Sequence, residues 1–154
     1  MAQVIIEHVE HPFAKGNLTS DGIQWSADKD TTTAGVDVEV ESVTIKPPAL
    51  GAMIEVEFGL TAAFRAVSSA TADLIYKWQA RNKGGTWVDL HSAVTKTDIG
   101  TTYVEETRSG RFKMIANFDS IPFELRLIIQ CNEANEGRAK VKNSSYVRVE
   151  YAAS

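Results

Sequence analysis

The sequence predicts an all-β protein, an antiparallel β-sandwich or jelly roll of about nine or ten short strands. Three observations predict it. Apolar and polar residues alternate with a period of two in one segment after another, and turn residues separate these segments at intervals of roughly 8 to 12 residues. The small-residue stretch over 62–72, where a helical turn would be sought, carries no apolar stripe at helical spacing. The 154 residues make one ordinary domain, able to bury roughly two thirds of its unfolded surface without disulfides or metals. The reading divides them into an N-terminal strand or arm, residues 1–12, and a single sandwich domain, residues 13–154.

In chain order, Val4, Ile5, Ile6 and Val9 form an apolar run of strand length. His11-Pro12 ends it, because proline has no N–H to give to a ladder. Residues 15–22 predict a loop, Ile23-Gln24-Trp25-Ser26 an edge strand, and residues 28–35 a second polar loop. Val36, Val38 and Val40 alternate with Asp37, Glu39 and Glu41. Val43 and Ile45 then resume the apolar face after a one-residue slip of the kind a β-bulge makes, and Pro47-Pro48 closes the strand. Met53 to Leu60 alternates again, with Ile54, Val56, Phe58 and Leu60 inward and Glu55 and Glu57 outward. Residues 62–72 are read as a loop.

The segment 71–92 predicts a central hairpin. Ala72, Leu74, Tyr76, Trp78 and Ala80 share one face, and Asp73, Lys77, Gln79 and Arg81 share the other. Asn82-Lys83-Gly84-Gly85 tolerates the positive φ of a tight reversal, after which Thr86 to Leu90 runs back. Thr101–Thr107 and Arg111–Ala116 predict a second hairpin about Ser109-Gly110. Ile121-Pro122 opens the longest alternating strand, marked by Phe123, Leu125, Leu127, Ile129 and Cys131, and residues 132–137 turn. Ala139–Lys142 and Ser145–Tyr151 close the chain, with Val147, Val149 and Tyr151 on one face.

The formal charge of −4 and pI near 5.4 argue against a nucleic-acid partner, which selects for concentrated Lys and Arg. No apolar run approaches the ~18 residues of a membrane span, and residues 1–12 lack the basic start and apolar core of a secretion signal. Cys131 continues an apolar face and reads as a small buried hydrophobe. His8, His11 and His91 lack the ligand spacing of a zinc site. There is no Gly-x-Ser-x-Gly elbow and no phosphate-cradling glycine loop. The acid pairs Glu55/Glu57 and Glu105/Glu106 read as solvated strand faces, and the sequons at Asn17 and Asn143 as chance. The expectation is a protein with no catalytic residues, no metal and no cofactor.

Within the central hairpin, Ala80-Arg81-Asn82-Lys83-Gly84-Gly85-Thr86-Trp87 resembles an Asp-box, the Ser/Thr-x-Asp-x-Gly-x-Thr-Trp hairpin of sialidases and other β proteins. Asn82, Gly84, Thr86 and Trp87 match; Ala80 stands where that motif has Ser or Thr, and Asn82 where it usually has Asp. The motif implies a hairpin and brings no activity. The overall plan, an extended start followed by a sandwich ending in Phe123-Glu-Leu-Arg-Leu-Ile-Ile-Gln-Cys and Lys142-Asn-Ser-Ser-Tyr-Val-Arg-Val, resembles small phage virion proteins of the head-decoration and tail-associated kind. That resemblance implies a non-enzymatic assembly subunit, a homo-oligomer attached to a capsid or tail, located in the virion after assembly in the host cytoplasm. Its assembly arm is Val4, Ile5, Ile6 and Val9, apolar residues able to add as a strand to a neighbour. The alternative is a carbohydrate-binding module whose aromatic platform is Trp25, Trp87, Tyr103 and Tyr146.

Overall fold

The computed structural model describes residues 4–13, 18–19, 22–46, 51–113 and 122–153. Among them are the strands β1 (Val4–Glu10), β2 (Leu18–Thr19), β3 (Gly22–Ile23), β4 (Lys29–Asp30), β5 (Val38–Ile45), β6 (Gly51–Ala66), β7 (Leu74–Asn82), β8 (Val88–Asp89), β9 (Val94–Lys96), β10 (Val104–Lys113), β11 (Phe123–Cys131), β12 (Gly137–Val141) and β13 (Tyr146–Ala153). They build the antiparallel sandwich that the alternation predicts. One sheet has six strands in the order β1-β13-β6-β12-β4, with β10 on the far side of β6. The other has five, β5-β11-β7-β8, with β9 also on β7, and β2 and β3 form a separate ribbon.

The sixteen-residue β6 is the axis of the larger sheet. On one side β10 pairs with it from Glu55 to Phe64. On the other, β13 pairs with Gly51 to Gly59 and β12 with Ala62 to Ala66. The ladder therefore changes partner at Leu60–Thr61, where buried backbone groups still need hydrogen bonds. Ser145 closes the gap. Its hydroxyl accepts from the Thr61 N–H at 2.9 Å and lies 3.2 Å from the Thr61 carbonyl, which also takes the Lys142 N–H at 2.9 Å.

Several expectations are corrected here. Residues 62–66 are strand, so the loop begins only after Ala66. Their pattern fails to alternate because Gly59, Thr61 and Ala63 on the outer face are buried like Leu60, Ala62 and Phe64 on the inner one, and a strand covered on both faces loses its period. Ser109-Gly110 does not turn: β10 runs straight through it, and residues 114–116 of the expected return lie outside the described residues. Gly110 sits opposite Phe58, where a Cβ would meet the ring at 2.9 Å; the glycine makes room for an aromatic neighbour. The returning arm of the central hairpin is shorter than Thr86–Leu90, since only Val88 and Asp89 pair with β7 before β9 takes over alongside Leu74–Tyr76. The polar loop over 28–35 contains β4, which pairs with β12.

Other features match. Gly84 takes the positive φ of the reversal, +81°. The slip in β5 is a bulge, with Leu127 opposite Glu41 and Ile128 opposite Glu39, so that Val40 is the extra residue. Pro47-Pro48 lies outside the described residues.

The core fills the space between the sheets. Tyr76 and Trp78 are each 1% exposed, and Leu74, Leu127 and Cys131 fully buried, facing Val56, Leu60, Phe64 and Val149. Phe64 and Tyr76 stack across the interior at 4.3 Å, and Phe13, just past β1, meets Trp78 edge-on at 5.6 Å. Ser145→Ala should cost about 1–3 kcal/mol, the usual penalty for leaving buried groups unpaired. Urea unfolding measures this, and an unchanged midpoint would contradict the bridging role of Ser145.

Candidate functional site

The expected assembly arm is β1, the outermost strand of the six-stranded sheet, paired in unbroken register with β13 from Val4–Ala153 to Glu10–Val147. Ile6 packs on the core, whereas Ile5 and Val9 point outward and are 49% and 51% exposed. Between them Glu7 pairs with Arg148 at 3.0 Å. Among the described residues no strand lies against the outer edge of β1.

The four residues of the expected aromatic platform do not share one place. Trp87 immediately precedes β8, beside the five-stranded sheet, with the guanidinium carbons of Arg81 and Arg126 at 4.3 and 4.1 Å from its ring centre. Tyr146 lies on the outer face of the other sheet, directly over Gly59, where a Cβ would collide with its ring, and donates to Glu57 at 3.2 Å. Trp25 and Tyr103 do come together. The Lys140 ammonium stands 4.8 Å from the Trp25 ring centre and 4.2 Å from that of Tyr103.

That pairing is built by three separate pieces of chain. Alternation along β12 puts Arg138, Lys140 and Lys142 outward while Ala139 and Val141 are buried. Trp25 bridges to Lys142, and Tyr103 precedes β10. Arg65 lies 5.2 Å from the Tyr103 ring centre, and the Tyr103 hydroxyl donates to Asp28. Burial, then the Asp28 carboxylate, pushes the Tyr103 phenol up to about 12. Arg138 holds Asp30 through two contacts, 2.6 and 2.8 Å, and that hydrogen bonding keeps the Asp30 carboxyl below the usual carboxylate range. Glu105 pairs with Lys142 at 3.1 Å. The patch is a polar surface of paired charges with two aromatic rings in it, and each cation–π contact of this exposed type is worth about 0.5–1 kcal/mol.

Several other titratable groups have partners within the fold. Glu55 and Glu57 each reach Arg111 at 3.3 Å. Glu106 takes the Tyr76 hydroxyl at 2.8 Å and pairs with Lys96. Burial pushes the Cys131 thiol up, the opposite of a reactive thiolate. Among the described residues no group of three or more His, Cys, Asp and Glu is placed to hold a metal ion.

His91 lines a cavity of about 240 Å³ between β8 and β10, with Val88, Leu90, Arg108 and Phe112 among its walls. Its Nδ1 is 2.8 Å from the Ser92 carbonyl and so carries the proton, leaving Nε2 to accept the Trp78 N–H at 3.0 Å. The imidazole thus stands in for the strand that β8 fails to supply. Burial is the main reason its pKa lies below the ordinary value. The unfolded chain therefore protonates first as the pH drops, and stability falls below pH about 6.5, toward the lower folded value. Thermal unfolding against pH should show this loss in the wild type and a shallower slope in His91→Gln; equal slopes would contradict it.

The fold and its surfaces define a class, an antiparallel β-sandwich with a regular open edge at β1. No family model and no curated protein matches the sequence. Solved structures do. The Gt strain of infectious bursal disease virus aligns over 97% of this chain and 33% of that chain, with a TM-score of 0.55 and 10% identity. The Gx strain aligns over 97% and 32%, with a TM-score of 0.52 and 11% identity. The T13 viral particle of the same virus aligns over 97% and 35%, with a TM-score of 0.51 and 11% identity. The chain spans about a third of the length of these viral chains, and likeness at this identity shows the fold.

Sequence reasoning missed Lys140, Arg65 and Asp28 as neighbours of the aromatic rings, and Arg81 and Arg126 as neighbours of Trp87. The Arg138, Lys140, Lys142 series at a spacing of two was the one local sign of a cationic strand face.

Proposed function

We propose that this protein is a non-enzymatic structural subunit that works by protein–protein contact, as a virion accessory protein of the capsid-decoration or tail-associated kind. It assembles in the host cytoplasm as a homo-oligomer on a larger particle and resides in the virion. The observation that carries this reading is the open edge of β1, a seven-residue strand that presents Ile5 and Val9 to solvent on one face. Unpaired strand edges with apolar side chains are where sheets add further strands. The fold shared with chains of viral particles supports the same reading, and the net charge of −4 suits protein partners better than nucleic acid. Light scattering on the purified protein tests it. The expected mass is an integer multiple, two or more, of 16.9 kDa, and a monomer at every concentration up to the millimolar range would overturn it.

A carbohydrate-binding role is the second reading, and the meeting of Trp25 and Tyr103 on one solvated face favours it. Stacked sugar rings would lie on these aromatics with Lys140 donating to hydroxyls. Titration with neutral and acidic oligosaccharides should then change tryptophan fluorescence, and Trp25→Ala should abolish the change. A wild-type signal that never moves would remove this reading.

A further inference from the structure

The edges of the two sheets are not alike. Five of the six edge strands carry protection against further pairing. β4 and β8 are two residues long and β9 three. β5 has a bulge at Val40, and β10 carries Glu105, Glu106, Arg108, Arg111 and Lys113. Shortness, bulges and charge are the usual means by which proteins keep sheet edges from pairing. β1 is long and regular, with no proline, glycine, lysine or bulge, and its two carboxylates are each held within the subunit, Glu7 by Arg148 at 3.0 Å and Glu10 by His8 at 3.2 Å. Of the large apolar side chains exposed among the described residues, two, Ile5 and Val9, lie on its outer face.

Resting on the assembly reading above, we propose that β1 pairs antiparallel with β1 of a second copy, about a two-fold axis that passes perpendicular to the sheet at Glu7. Such an axis keeps each face of the sheet on its own side, so the residue at its centre must oppose itself. Centring on Glu7 sets Ile5 against Val9 of the other copy, twice, on the outer face, and Ile6 against His8 on the inner face. Centring on Ile6 would set Ile5 against Glu7, and centring on His8 would set Val9 against Glu7. Only the Glu7 register matches both exposed apolar residues with apolar partners, and apolar cross-strand pairs are what stabilise a ladder. The cost of bringing two Glu7 carboxylates together is offset by Arg148, already 3.0 Å from Glu7 in each copy. The two six-stranded sheets then become one continuous sheet across the dimer, and both exposed edges are covered.

Single-cysteine cross-linking and a charge substitution test this. With Cys131 buried as the background thiol, Glu7→Cys should give a covalent dimer under mild oxidation or with a short bis-maleimide. Ile6→Cys and His8→Cys should each stay monomeric alone and cross-link when mixed. Ile5→Lys/Val9→Lys should halve the solution mass while keeping a cooperative thermal transition. If Glu7→Cys links no better than the wild type, or the three positions link equally, the register is wrong and the proposal fails. If the double lysine variant keeps the oligomer, the contact lies elsewhere and this inference fails while the assembly reading stands. A wild type that is monomeric throughout removes both. Should the lysine variant not fold, the cysteine pattern decides the matter by itself.

Discussion

The constraint on which the rest of this structure depends is the hydrogen bonding of β6. A strand of sixteen residues in the middle of a sheet has backbone groups on both sides to satisfy, and no single neighbour here is long enough to do so on both. β10 covers one side, while β13 and β12 divide the other. The seam between them is sealed by Ser145, 1% exposed. Comparable hydroxyls finish the ends of β12: Ser26 Oγ accepts from the Val141 N–H and Thr31 Oγ1 from the Gly137 N–H, both at 2.9 Å. A buried donor left unpaired costs more than an ordinary hydrogen bond gains, so these small side chains are as structural as the apolar core.

The same strand explains where aromatic rings and glycines meet. Because β6 is covered on both faces, large rings find room only where the opposite position has no side chain, and Tyr146 lies over Gly59 as Phe58 does over Gly110. Tyr146 also borders a shallow outer pocket of about 310 Å³ beside Glu57, Ser109 and Arg111. Across the interior, the Phe64–Tyr76 stack joins β6 to β7, so the two sheets share an aromatic contact at their centres.

Function follows from what the saturated parts of the molecule leave over. Outward charges on both sheets are engaged with one another, as in Arg81–Glu124 at 3.0 Å and Arg126–Glu39 at 3.3 Å. Exposed pairs of this kind add little to stability but give the faces a solvated, self-contained character. The edge of β1 differs, since no strand lies against that side among the described residues and two of its outward side chains, Ile5 and Val9, are apolar. The proposed assembly surface is therefore marked by an unfilled ladder rather than by a constellation of reactive groups.

The sequence by itself missed the short β2, β4 and β9 but determined most of the longer strands and the apolar face of most of them, that Trp78 and Cys131 belong inside, and that the chain reverses at Gly84. All of these are local matters, set by a side-chain period of two and by which residues tolerate positive φ. The tertiary structure decided the rest: the extension of β6 through Ala62 to Ala66, the straight course of β10 past Gly110, the hydroxyls of Ser26, Thr31 and Ser145 as ladder closures, and the parting of Trp87 and Tyr146 from Trp25 and Tyr103. Each depends on a neighbour far away in the chain, as β1 depends on β13 at the opposite end of the described residues. Alternation records only the face on which a side chain lies, and says nothing of which strand will come to lie beside it.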